Sequence, residues 1–547
     1  MKRLFLFLFL LVSNNSRVEA NIPNIEPSNY RTLINLFNEW RVFEKPPTLN
    51  GAPDYSKERF NRDYDEFLSF KNRLDKIEIQ EWPVNYRIDW YVVKAELNGY
   101  DFNYKVLKPW ERDPAFYQTV WMYESDVPAH EGPTNHGTLE FWSYQFPLDK
   151  KNKEKIKTDL KLIPSFLDQA KINLTGNARD LWMAGIENFK QQSKDLRQIE
   201  EKISVHHPNE DLFKLLENAK HSTQKFTQWL EDELPNKRGP SGIGKENYTW
   251  YQKNVHLLPF SWEDEVRLLQ RELDRAWSSL KLEEHRNRHL PKMASADTPK
   301  DFDILTEKSI NKMMKFLKNN DIMQIKSNME PALRAHRGTF QAKEKRNFFS
   351  IGMHYDPLPL YSHFYHWFDL AQVRDEPHPS PIRRGPLLYN IFDSKNEGIA
   401  TGVEEMFMHA GLYDDNPRSR EIVWIMIAQR AARGLGSLYA HANEMTMEEA
   451  GKVHVKWTPR EWMKREPHLL RFEQHLYLRQ PGYGTCYITG KYLIEKIIAN
   501  RSRQLEELGQ PFKIKDFLTQ FNDAGNIPIE LVHWQITGEK PSGLIEP

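Results

Sequence analysis

The stretch Glu397-Gly-Ile-Ala-Thr-Gly-Val-Glu-Glu-Met-Phe-Met-His-Ala-Gly-Leu412 reads as a helix closed by Gly411, the residue type that best accepts the left-handed turn after a last helical residue. Asn416-Pro417 follows, and asparagine ahead of proline predicts a new helix: a capping side chain, then a residue whose missing N–H is not needed in the first turn. That second helix passes through Ile422–Ala428, which is apolar on every side, before reaching Gln429, Arg430 and Arg433. A helix apolar all round is a buried helix. The chain is therefore expected to build a helical body large enough to enclose one of its own helices, with the two arginines set against the core or a cleft.

The same period extends outward. From Ser56 to Glu78 one stripe carries Phe60, Tyr64, Phe67, Phe70 and Leu74, and Trp82–Glu96 predicts a further helix. Amphipathic runs cover Lys151–Leu234, Trp262–Arg288 and Ile304–Leu333, while sustained strand alternation is scarce. The expected fold is mostly α, a large helical assembly with room for a small strand element. The loop Arg238-Gly-Pro-Ser-Gly-Ile-Gly244 marks the best boundary between an N-terminal helical region, 21–240, and a C-terminal one, 241–547.

Composition narrows the function. The 76 Lys and Arg balance 76 Asp and Glu, which removes the electrostatic argument for nucleic acid or an anionic membrane as the main partner. With 16 Trp, 22 Tyr and 30 Phe the chain has ample apolar area to bury, so it is not disordered. Its single cysteine, Cys486, excludes an intramolecular disulfide and a cysteine-based zinc module. Residues 1–20 have the order of a secretory signal peptide: Lys2 and Arg3, the apolar run Leu4–Val12, then Val18-Glu19-Ala20. That run is too short to span a bilayer, no later stretch is long enough, and no cysteine offers a lipid attachment point. A secreted or periplasmic protein without a membrane span is expected. Asn173-Leu-Thr175, Asn247-Tyr-Thr249 and Asn500-Arg-Ser502 fit the glycosylation pattern.

Candidate chemistry lies in the C-terminal half. A zinc hydrolase needs two ligands about one helical turn apart, a third from another element and a group to activate water. His363 and His366 are three residues apart, which sets them about 60° apart on a helix. Glu397 supplies a third ligand, and Glu404 follows on the same face, with Glu405 and His409 beside it. The same spacing suits an aromatic core in which both imidazoles stack with Phe364, Tyr365, Trp367 and Phe368. His130-Glu-Gly-Pro-Thr-Asn-His136 is not a rival site, because Gly132 and Pro133 break any helix there.

The order of signals from 359 to 537 resembles the family filed as domain of unknown function 885, mostly secreted helical proteins. Its zinc-bearing members carry HExxPGHxxQ, then EGWALYAE, then a glycine–tyrosine turn. Glu397-Gly398 through Glu404 is similar to EGWALYAE in length and in both carboxylates. Ala410-Gly-Leu-Tyr413, Pro481-Gly482…Tyr487…Gly490 and Gly525-Asn-Ile-Pro-Ile-Glu-Leu531 resemble the later motifs, and Trp40-Arg41…Pro53-Asp-Tyr55 the family's opening. Counted from Gln372, His363 takes the first histidine position, Phe364 stands where the general-base glutamate belongs, and Asp369 replaces the second histidine.

The resemblance thus implies a zincin-like assembly with a zinc site built from His363, Asp369 and Glu397, while helix geometry makes His366 the better partner for His363. Residues six apart on an unbroken helix diverge by about 120°. It further implies Tyr487 as an oxyanion-stabilising phenol, with Arg430 or Arg433 lining the same cleft, and leaves Glu404 or Glu405 to replace the missing base. Tyr487 also suits a core position with its hydroxyl on a backbone carbonyl. Two functions are compatible: a metal-dependent hydrolase, peptidase-related, acting on a peptide or other small substrate in a helical cleft; or a catalytically inactive relative that binds a peptide or an envelope partner.

Overall fold

Side-chain caps set where many of the helices begin. Ser56, Ser261, Thr298 and Thr446 each accept a backbone N–H from the third residue onward, and Asp264 and Glu449 return the bond to complete two capping boxes. The computed structural model describes residues 26–125, 133–206, 210–463 and 469–544. The expected signal peptide, and His130–Gly132 of the excluded motif, lie outside them.

The N-terminal layer holds α1 (Tyr30–Phe43), α2 (Lys57–Asp75) and α3 (Val84–Phe102), joined by aromatic contacts of Trp40 with Phe67, Phe70 and Tyr100. Three long helices follow: α4 (Lys150–Asn173), α5 (Arg179–His206) and α6 (Glu210–Glu233). Next come α7 (Lys245–Asn254), α8 (Trp262–Arg286) and α9 (Pro299–Asn319). The C-terminal part contains α10 (Leu358–His363), α11 (Tyr365–Asp375), α12 (Asp393–His409), α13 (Ser419–His441), α14 (Met447–Trp457), α15 (Leu469–Arg479), α16 (Tyr483–Glu507) and α17 (Ile529–Thr537). The fold is mostly α. Its strand content among the described residues is two short pairs, Thr48–Leu49 antiparallel to Ala52–Pro53 and Val120–Trp121 parallel to Leu139–Glu140.

α13 is the enclosed helix that its all-round apolarity predicts, buried along nearly its whole length. One continuous hydrophobic core runs from Tyr30 to Leu544 and draws on both sides of the 238–244 loop. That loop is itself packed: the Gly242 N–H donates to Asn443 Oδ1 (2.9 Å) and the Gly244 N–H to the His441 carbonyl (2.8 Å). No helix among the described residues is long and apolar enough to cross a membrane. The Asn173 amide is buried and donates to the Tyr55 carbonyl and the Tyr117 hydroxyl, both at 3.0 Å, so the first glycosylation triplet is spent on packing.

Three helix boundaries differ from expectation. Gly411 does close α12 in the left-handed region (φ +93°). But α13 starts at Ser419, because the Asn416 amide donates to Asp356 (3.1 Å) instead of capping a helix. His363 and His366, read as sharing one helix, fall on two, broken at Phe364 (ψ 14°). Finally, the stretch Pro481–Tyr487, which resembles a turn motif, is helical from Tyr483: α16 begins there, directly after Gly482 (φ +91°).

Candidate metal centre

Glu397 is carried by α12, and its place is set by a helix crossing that only glycine permits. Gly398 meets Gly490 of α16 so closely that a methyl group on Gly490 would stand 2.0 Å from the Ser394 carbonyl oxygen. The backbones touch, and the side chains flanking the contact face one another. Tyr483 and Tyr487, one turn apart on α16, both donate to Glu397 Oε1, at 2.7 and 2.9 Å.

The other carboxylate oxygen faces two imidazoles. Glu397 Oε2 lies 3.0 Å from His366 Nε2 and 3.9 Å from His363 Nε2. The break at Phe364 makes this convergence possible, since it ends α10 on His363 and places His366 in the first turn of α11. The two rings stand edge to face, with centroids 5.0 Å apart. All three residues are buried, and one ligand atom from each lies within 4.8 Å of the others.

A second layer holds the first. Glu404 Oε1 is 3.0 Å from His363 Nδ1, and both Glu404 oxygens accept from the Arg430 guanidinium (2.7 and 2.8 Å). Arg430 Nη2 also lies 3.1 Å from His363 Nδ1, so that nitrogen sits between a carboxylate and a guanidinium; a proton on Nδ1 directed at Glu404 leaves Nε2 as the bare nitrogen turned toward Glu397. Arg433, next along α13, donates to Glu473 of α15 (2.6 Å) and stacks over the Tyr487 ring at 4.1 Å. Burial is the largest influence on Glu397 and pushes its pKa up, but His366, His363 and Tyr483 outweigh it and bring it down to about 2. Burial, assisted by Arg430, lowers His363 to about 4 against the pull of Glu404. Burial and the nearby Glu397 charge keep Tyr487 a neutral phenol, well above its ordinary pKa. Glu397 is thus an ionised carboxylate and His363 a neutral imidazole, the states in which those two groups bind a metal.

The donor set fits zinc. Bonds of about 2.0–2.1 Å in a tetrahedron separate ligand atoms by about 3.4 Å, and the contacts of 3.0 and 3.9 Å bracket that value. Glu404 behind His363 is the carboxylate–histidine arrangement that fixes a ligand's tautomer.

The structure thus brings together His363, His366, Glu397, Glu404, Arg430 and Tyr487. Asp369 is not in the cluster: its carboxylate is 3.2–3.3 Å from Lys395 Nζ, a fully buried ammonium that also donates to Asn526 Oδ1 (2.9 Å). Asp369 is the counter-ion of a lysine and has no role as a ligand here. Glu405 is likewise taken, by Arg275 (2.7 and 2.8 Å) and Lys491 (3.0 Å). Phe364 packs on Tyr361 and brings no carboxylate. The Tyr487 hydroxyl is engaged neither by a backbone carbonyl nor by open space, but by Glu397. Tyr483 was not foreseen; its place one turn before Tyr487 would have revealed it had 483–487 been read as helix. His136 of the excluded motif pairs with Glu44 (2.7 Å) and is not part of the cluster.

No family model matches the chain, and no curated sequence does either. Among solved structures, a candidate lipoprotein of unknown function from Shewanella oneidensis aligns with 93% of this chain and 99% of its own, with TM-score 0.65 at 13% identity. A candidate lipoprotein from Colwellia psychrerythraea aligns with 94% of this chain and 99% of its own, with TM-score 0.61 at 14% identity. Likeness at these identities establishes a shared fold.

Proposed function

We propose that this protein is a metal-dependent, hydrolase-like protein of the cell envelope whose His363, His366 and Glu397 hold one zinc ion. The observation that carries the reading is the convergence of three buried ligand atoms, with a carboxylate behind one imidazole. The motif resemblance to the domain of unknown function 885 family supports a peptide substrate. The naming of both structural neighbours as candidate lipoproteins supports an envelope location. Zinc, when bound, supplies Lewis acidity toward a carbonyl oxygen. The chain's own groups position: Tyr483 and Tyr487 orient Glu397, and Glu404 orients His363 while Arg430 neutralises it.

A second reading has its own support. Among the described residues no carboxylate beside the cluster is left for general-base work, since Glu404 is locked to Arg430 and Phe364 is apolar. General-base assistance is worth about 10²–10⁴-fold, so a zinc-holding protein that binds peptides and cleaves them slowly or not at all fits these contacts equally. Metal analysis of protein purified without chelators tests the shared part: about one zinc per chain, lost in His366→Ala. A metal-free native protein that takes up no added zinc overturns it. Peptide-library hydrolysis then separates the readings. Fast cleavage supports the hydrolase, and weak cleavage that rises in Phe364→Glu supports the silent relative.

A further inference from the structure

A cavity of about 670 Å³ lies between α5, α6 and α15 and contains none of the three cluster residues. Its volume is that of a ligand site. α15 separates the two places: Glu473 reaches Arg433, whereas Arg471, Phe472, His475 and Arg479 line the cavity.

The lining is cationic on a chain of zero net charge. Glu231 takes Lys190 (2.9 Å), Glu187 lies 3.6 Å from Arg471, and Asp113 takes the buried Arg479 (2.5 Å). This leaves Lys194 and Arg197, exposed and one turn apart on α5, with no ion pair among the described residues. Across the cavity Phe472 is half exposed, an unusual cost for a large aromatic ring outside a binding surface. Nearby, buried His475 keeps an Nε2 with no hydrogen-bond partner among the described residues, 3.8 Å from Asp113.

We propose that this cavity binds an extended acidic peptide. Residues one helical turn apart present their charges about 5–6 Å apart. Alternate side chains of an extended strand fall on one side about 6.6 Å apart, so carboxylates at alternate positions reach both Lys194 and Arg197. The residue between them points the opposite way, toward Phe472 and Leu476. Among the amide side chains of the lining, Gln191 and Gln228 each spend one N–H on an aspartate, Asp195 (2.9 Å) and Asp232 (3.0 Å), which leaves each a second N–H and an acceptor oxygen, as a peptide backbone requires. A phosphodiester backbone offers acceptors alone. The proposal does not depend on the metal reading, because no cluster residue takes part.

Calorimetric titration of the full protein with acetyl-Ala-Glu-Phe-Glu-Ala-amide tests it, with the Gln-for-Glu peptide and trigalacturonate as comparisons. The acidic peptide should bind about tenfold or more tighter than the neutral one, and the preference should shrink with salt. Lys194→Glu with Arg197→Glu should abolish the preference; both positions are exposed, so a matching circular dichroism spectrum and melt confirm that the variant is folded. No binding, equal binding of both peptides, an unchanged preference in the double variant, or binding of trigalacturonate without the peptide each overturns the proposal.

Discussion

Asp369 shows how a single contact decides between two chemical roles. A carboxylate is a legitimate zinc ligand, yet here it balances Lys395, which has no exposed surface at all. Asp369→Asn would leave that ammonium buried without a counter-ion. Breaking such a pair costs about 3–5 kcal/mol, so the variant should melt well below the native protein while holding the same zinc stoichiometry. Lost metal with an unchanged melt would instead make Asp369 a ligand. Glu404 makes the complementary case. It reaches the cluster through His363, so Glu404→Gln should weaken zinc about 10–100-fold, as read by competition with a chromophoric chelator. Its Gln amide also leaves Arg430 uncompensated, so Glu404→Asp serves as the conservative control and should recover part of the affinity. Equal affinity in all three proteins would show that the tautomer of His363 needs no help.

At the scale of elements, the decisive feature is the crossing of α12 and α16. A Cβ on Gly490 would collide with backbone, the Ser394 carbonyl, and no rotamer change relieves that. Overpacking costs about 1–3 kcal/mol when neighbours can adjust; here the helices must part. Gly490→Ala should therefore lower the melting temperature and the zinc content together, because the shift carries Tyr483 and Tyr487 away from Glu397. Unchanged zinc content would mean that the crossing does not set the site. These elements also mark what was legible in the sequence. The 3.6-residue stripe of α2, the all-round apolarity of α13 and Gly411 after α12 were plain, because periodicity and a left-handed glycine are local signals. The candidate histidines and Glu397 were legible from type and spacing. The break at Phe364 was not, since no proline or glycine marks it and tertiary packing imposes it. Nor was the start of α16, where Gly482, Gly484 and Thr485 look like a turn but Gly484 packs against Ser437 inside a helix. That misreading hid Tyr483. Asp369 was misassigned because its partner, Lys395, belongs to another helix.

Over the whole molecule, one buried carboxyl should make stability depend on pH. Glu265 of α8 has no exposed surface and accepts from the Tyr248 hydroxyl of α7 (2.7 Å), while its other oxygen has no partner among the described residues. Tyr248 is in turn 3.1 Å from Thr485 of α16, so the group lies where three helices meet. Burial dominates and raises Glu265 to about 7, against the lowering by Thr485 and Tyr248. A folded-state pKa above the unfolded value means that the folded chain binds the proton more tightly. The stabilisation is full below about 4.5, the ordinary value, and is lost as pH rises through about 7. A shift of that size corresponds to about 3 kcal/mol. Glu265→Gln removes the titration and keeps an oxygen for Tyr248, so the two proteins should melt at similar temperatures near pH 5. By pH 8 the variant should melt higher, with the gap opening between those values. Thermal melts across that range decide the matter: a gap that stays constant with pH would show that Glu265 is already ionised in the folded protein.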